Sequence, residues 1–206
     1  MSKLDFQDIK GQEHVKRALE VAVTGGHNVL LISPSMREVN RFVTRIHTIA
    51  DKENLIATYS MTACPCGNFT NPKKECHCTP TQIQKHLSQF PQEILDVIDI
   101  HIEVPVLNQK VLTDKRKGEP SKDIKARADK ARFFLSSKKE FLFDFDKEAN
   151  ELLKLAILEL GLSAKCYDKV IRVATTIAKM DGKAIIEAHH ISESISYRSL
   201  DRCLWG

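Results

Sequence analysis

The 206-residue chain has no apolar run approaching the length of a membrane span. Its opening, MSKLDFQDIK, lacks the apolar stretch of a secretory signal. Cytoplasm is therefore the expected location. Net charge is scarce: 31 Lys and Arg against 27 Asp and Glu leave +4, too small a surplus to argue for nucleic acid from composition alone. Internal repeats and low-complexity tracts are lacking too, which excludes a solenoid or a disordered chain. What is present is ordinary for a soluble globular protein, with 42% hydrophobic and 28% charged residues. The length suits one domain or two small ones that fold without staples.

The most informative absence lies in GGHNVLLISPSMREVNRFVTRI, residues 25–46. Gly25 and Gly26 lead into an apolar run that reads as a buried strand over 28–33, closed by the turn-forming Ser33-Pro34-Ser35. A phosphate-cradling loop would now supply glycines, a Lys and a Ser or Thr before its helix. The chain instead runs straight into Met36-Arg37-Glu38.

Periodicity organises the rest. KGQEHVKRALEVAVTGG reads as an amphipathic helix with the Gly pair as C-cap, and a second helix is expected over 36–50. NLIATYS, residues 54–60, reads as a strand; TPTQIQKHLSQF as a short helix capped by Thr79 or Thr81; and IDIHIEVP as a strand ending at Pro105. The polar NQKVLTDKRKGEPS is a linker candidate, and helices are expected over 121–138, 146–160, 163–180 and 187–198. The expected fold class is α/β: an α/β unit over 1–106 with a Cys-rich loop at 62–80, a linker over 107–120 and an all-helical unit over 121–206.

Four of six cysteines crowd into CPCGNFTNPKKECHC, while Cys166 and Cys203 stand alone. In a reducing compartment such crowding points to metal rather than disulfides. Cys64, Cys66, Cys76 and Cys78 supply a tetrahedral thiolate set for structural zinc, with Gly67, Asn68, Asn71 and Pro72 as the turn and His77 as a substitute ligand. The bland alternative is a set of reduced, unligated thiols. Lys115-Arg116-Lys117 with Lys122, Lys125, Arg127, Lys130 and Arg132 suits a DNA backbone, but Asp114, Glu119, Asp123 and Asp129 interleave, as on a solvated face. His27, His47, His101, His189 and His190 show no ligand spacing and read as structural or surface residues.

Five blocks, DFQDIKGQEHVKRALEVAVTGGHNVLLIS, VTRIHTIA, CPCGNFTNPKKECHCTPTQIQKHL, ILDVIDIHIEV and GLSAKCYDKVIRVATTIAKMDG with ISESISYRSLD, run in order from residue 5 to 202. Through them the chain resembles the magnesium chelatase-like AAA+ ATPases, in particular the bacterial competence-associated branch-migration helicase group. Family members are much longer, and the resemblance implies a truncated member that has lost internal segments and an amino-terminal domain.

The resemblance also implies where ATP chemistry should reside. The family's GPPGSGKT loop retains only Pro34, and its acidic Walker B strand should lie where only Asp51, Lys52 and Glu53 stand. The sensor-1 Asn position is Thr62, the arginine-finger position is Val97, and the sensor-2 Arg position is Lys165. Asp8-Ile9-Lys10-Gly11 matches the adenine-pocket segment, so Ile9 and Gly11 mark a residual base site. Losing the Lys, the metal carboxylates and the finger together removes nearly every source of transition-state stabilisation, which makes bound ATP doubtful and hydrolysis unexpected.

In the family's fold five parallel strands lie in the order five, one, four, three, two. Deleting two and three predicts a reduced AAA+ core with a three-stranded parallel sheet, residues 28–33 central, beside a helical lid. The strand at 54–60 becomes a new edge for a protein partner, a second copy or a full-length AAA+ relative. The expected function is a non-catalytic interaction or regulatory protein. The alternative is an ATP-binding, DNA-processing subunit of a mixed ring.

Overall fold

The computed structural model describes residues 4–51, 56–69, 71, 73–107, 111, 117–137, 144–160 and 162–198. Strand β1 (Val29–Ile32) is central, flanked by β2 (Thr58–Met61) and β3 (Ile100–Glu103), both parallel to it, in the order β2-β1-β3. Val29 stands opposite Thr58 on one side and Ile100 on the other. The reduced α/β core expected from the sequence is therefore present, with residues 28–33 in the middle.

The unbroken apolar run of β1 follows from having both faces covered. Side chains alternate across a strand: Val29 and Leu31 join the core formed with α1 (Glu13–Gly25) and α2 (Met36–Ile46), together with Phe6 and Ile9. Leu30 and Ile32 face the other way, onto Leu95 and Ile98, with Tyr59, Met61 and Phe90 packed against them. Parallel neighbours need crossover connections. Between β1 and β2 the crossover carries α2; between β2 and β3 it carries the Cys-rich loop, α3 (Pro80–Leu87) and α4 (Gln92–Val97).

The local chemistry explains the boundaries. Gly26, at φ 69, closes α1 and donates its N–H to the Ala22 carbonyl. Thr79 caps α3 through a reciprocal box: its hydroxyl accepts from the Gln82 N–H, and its own N–H donates to the Gln82 side chain. The strand expected over 54–60 starts later and ends at Met61. Leu55 lies outside the described residues. Ala57 still accepts the Val29 N–H at 2.9 Å, so the short length of β1 limits the ladder. Six-residue α4 went unread because it offers too few turns for a period.

Among the described residues, α5 (Ser121–Ser137), α6 (Lys147–Leu160), α7 (Ala164–Met180) and α8 (Ala188–Ser196) follow. Ala149, Leu153, Val170, Ala174 and Ile191 form a core among the last three. The other side of α7, through Val173 and Ile177, joins Ile124 and Ala128 of α5 in the core that also covers the sheet. A buried polar tie reinforces that junction. Asp99 accepts from the Asn28 N–H and from Arg172, His27 hydrogen-bonds Thr176 at 2.8 Å, and Arg198 donates to the Ile98 carbonyl. Burial works to raise the Asp99 pKa, but the His27 ring, 3.6 Å away, and the nearby Arg172 outweigh it and hold the carboxyl below the usual range.

Candidate metal centre beside a shortened phosphate loop

The loop after β1 is closed on itself. Ser33 is fully buried; its hydroxyl donates to the Val104 carbonyl at 2.7 Å and accepts the Ser35 N–H at 3.0 Å. Phosphate loops bind anions with free backbone N–H groups at a helix start. Here α2 begins at Met36, directly after Ser35, whose own N–H is already engaged. Against this turn lies Gly67, at φ 73, where an added Cβ would sit 3.5 Å from the Pro34 carbonyl oxygen.

Gly67 belongs to the Cys-rich loop, which leaves the end of β2. Its N–H bonds the Cys64 carbonyl, Asn71 bonds back to Asn68, and the Asn71 side chain accepts the Lys73 N–H. Lys73 also donates to the Leu107 carbonyl at 3.0 Å. These turns fold the second cysteine pair onto the first. Sγ separations are 3.4 Å for Cys64–Cys66, 3.7 Å for Cys64–Cys76 and 3.6 Å for Cys66–Cys76, with Cys78 Sγ within 4.8 Å of the others. Tetrahedral sulfur around zinc at about 2.3 Å puts sulfurs about 3.8 Å apart. The donor set therefore fits a thiophilic divalent ion with four protein ligands. His77 is exposed and is not part of the four-donor group.

The thiols are also electrostatically linked. The Asn68 N–H and neighbouring thiols pull the Cys66 pKa down to about 6. Although the Cys78 N–H donates to Cys76, desolvation and the adjacent sulfurs push that thiol up to about 12. One thiolate is easily formed in the cluster, and further ones repel it. Cys64 is buried, Cys66 exposed, and Cys76 and Cys78 lie between.

The other residues singled out in the sequence are not part of the four-donor group. Ile9 is buried in the main core. Gly11 has φ 61, and an added Cβ would lie 2.9 Å from Val111 Cγ1 and 3.9 Å from Leu107 Cδ2, so the chain's own side chains fill the space beside it. Lys165, exposed at the start of α7, pairs with Asp96 at 2.6 Å, next to Val97. The Thr62 hydroxyl and carbonyl both meet His86 Nε2, at 3.2 and 3.0 Å. In the basic stretch, Arg127 pairs with Glu20 and Glu119, and Arg132 donates to the Val23 carbonyl. Lys115 and Arg116 lie outside the described residues.

A second donor group was not foreseen: Asp181, His189 and His190 lie with ligand atoms within 4.8 Å. Its sequence signal would have been the Asp-Gly helix end followed by adjacent histidines. The Glu187 N–H donates to His190 Nδ1 at 2.9 Å, so the neutral ring carries its proton on Nε2, facing Asp181 at 3.4 Å. A metal would need the lone pair on that nitrogen. The arrangement works as the cap of α8 instead.

Known proteins place the chain. The family description "Magnesium chelatase, subunit ChlI" matches residues 5–54 and 38–112, and "Magnesium chelatase, subunit ChlI C-terminal" matches 118–198. The competence protein ComM of Haemophilus influenzae is 30% identical over 161 residues, and the uncharacterized protein YifB of Escherichia coli is 29% identical over 158. Each match takes 70% of this chain and 31% of the relative, so the chain spans about a third of the length of these relatives. A solved structure from Cytophaga hutchinsonii covers 91% of this chain and 81% of that one at 10% identity, with a TM-score of 0.45, too loose a likeness to argue from. Among the described residues no helix is long and apolar enough to cross a membrane. With family matches running through both halves, from residue 5 to 198, the chain belongs to the magnesium chelatase family.

Proposed function

We propose that this chain is a non-catalytic, AAA+-derived interaction protein in which a zinc-bearing cysteine cluster, rather than a nucleotide, organises the C-terminal end of the sheet. One observation carries the reading: β1 passes through Ser33-Pro34-Ser35 into α2 with the Ser35 N–H already bonded to Ser33. No Lys or Thr follows to meet phosphates or Mg²⁺. The family binds ATP, and in this chain Gly11 faces Val111 while Lys165 is spent on Asp96. Four thiolates from Cys64, Cys66, Cys76 and Cys78 would hold zinc as a closed structural site, because no coordination position is left for a substrate.

The interaction surface is the outer edge of β2, offered to a protein partner or a second copy. The register supports this. The Val29 and Ser33 N–H groups bond the Ala57 and Met61 carbonyls, which in a parallel ladder turns Ala57, Tyr59 and Met61 inward and the backbone groups of Thr58 and Ser60 outward. Such an edge invites strand addition. Calorimetry with ATP and Mg²⁺ tests the reading against a DNA-processing ring subunit. A flat titration is expected; saturable binding at micromolar ATP would favour the ring subunit instead.

A further inference from the structure

We infer that Cys66 is an oxidation site through which a peroxide-class oxidant ejects the metal from the cluster. This deepens the metal reading above and rests on it. Of the four cysteines Cys66 is the most exposed, while Cys64 is buried at the base of the loop. Its sulfur is 3.6 Å from Cys76 Sγ, one of the two sulfurs on the opposite arm. A disulfide needs about 2.05 Å, so closure asks for a shift of about 1.5 Å within a loop held mainly by its own turns. Cys64 is nearer, at 3.4 Å, but the two residues flank Pro65 in a turn closed by the Gly67 N–H on the Cys64 carbonyl. Joining them would bend a ring that is already tight.

The chemistry balances in two steps. The Cys66 thiolate attacks one peroxide oxygen; an S–O bond forms, the O–O bond breaks, and hydroxide or alkoxide leaves and takes a proton. The Cys76 thiolate then attacks the Cys66 sulfur; the S–S bond forms and hydroxide departs. Two sulfurs give up two electrons, and the peroxide is reduced to water or an alcohol plus water. The metal keeps two of its four thiolates and is released. Gly67 rests against Pro34, and Thr62 and Ala63 alone separate Cys64 from β2, so the loop, the shortened phosphate turn and the sheet edge loosen together.

The test uses the full chain, purified without chelators and loaded with zinc. Its zinc content is measured first, then hydrogen peroxide is added, with a chromophoric chelator reporting release and non-reducing peptide mapping locating the disulfide. The expected result is one zinc released for each two thiols lost, a Cys66–Cys76 link, and recovery after a thiol reductant and zinc. Cys166, partly exposed and outside the cluster, should oxidise more slowly. Zinc retained while Cys166 oxidises, or a Cys64–Cys66 link, overturns the inference and leaves the metal reading standing. Failure to load zinc overturns both.

Discussion

Single residues carry the clearest structural commitments. Cys64 combines burial with sulfur contacts to two other cysteines, so Cys64→Ser should abolish zinc binding from an expected one equivalent per chain. Elemental analysis checks this; wild-type protein holding under a tenth of an equivalent would reject the metal centre. Gly11 sits at φ 61 with Val111 Cγ1 where a Cβ would go, whereas Gly26, at φ 69, has open space. Both Gly→Ala variants incur the left-handed penalty of about 1–2 kcal/mol. Gly11→Ala should fall further in denaturant titrations, and an equal loss would mean that the Val111 contact is unimportant. His190 adds a pH dependence. Burial, and then the neighbouring His189, hold its pKa below the ordinary value, while Asp181 and Glu187 act in the opposite direction. The neutral ring caps α8, so its contribution is complete above the unfolded value near 6.5 and is lost as pH falls from there through the lowered folded value. Thermal unfolding should show this slope in the wild type and a flatter one in His190→Asn. The cysteine spacing was legible because metal ligation needs few residues at fixed offsets. The histidine cap was not, since it depends on where the end of α7 meets the start of α8.

At the level of elements, β1, α1 and the rear helices were legible because burial imposes a period on each. Val29 to Ile32 is apolar throughout because the sheet is covered on both faces. The start of β2 was misplaced because its length is dictated by the register with a four-residue neighbour, which no local pattern encodes. The same register decides how to test the edge. Ala57 donates its N–H inward to the Asn28 side chain at 2.9 Å, so proline there would damage the sheet itself. Ser60 is exposed and turned outward. Ser60→Pro should therefore preserve the circular dichroism spectrum and abolish self-association or partner capture through this edge. Undiminished association by Ser60→Pro and Ser60→Lys alike would place the interface elsewhere.

Across the whole molecule, the strand order β2-β1-β3 is the one that losing strands two and three from the five-stranded sheet implied by the resemblance would leave. The remaining three stay adjacent, and the core needs no rearrangement. Ile124, Ala128, Val173 and Ile177 from the rear helices complete the cover over α1 and the sheet. The order was legible because the motifs identify each strand. Unlike the order, the way the Cys-rich loop leans on the shortened turn was not, because it arises from Gly67 and Pro34, distant in sequence. On the proposed reading, this scaffold serves through its surface rather than through ATP chemistry. The central claim is that no phosphoryl transfer remains, and Mg²⁺-dependent phosphate release from ATP by the purified chain tests it most directly. The account predicts a rate equal to the buffer control, unchanged when Lys is placed at Ser35, because the Walker B carboxylates would still be missing. Turnover that follows the protein at constant specific activity through successive orthogonal purifications would contradict it.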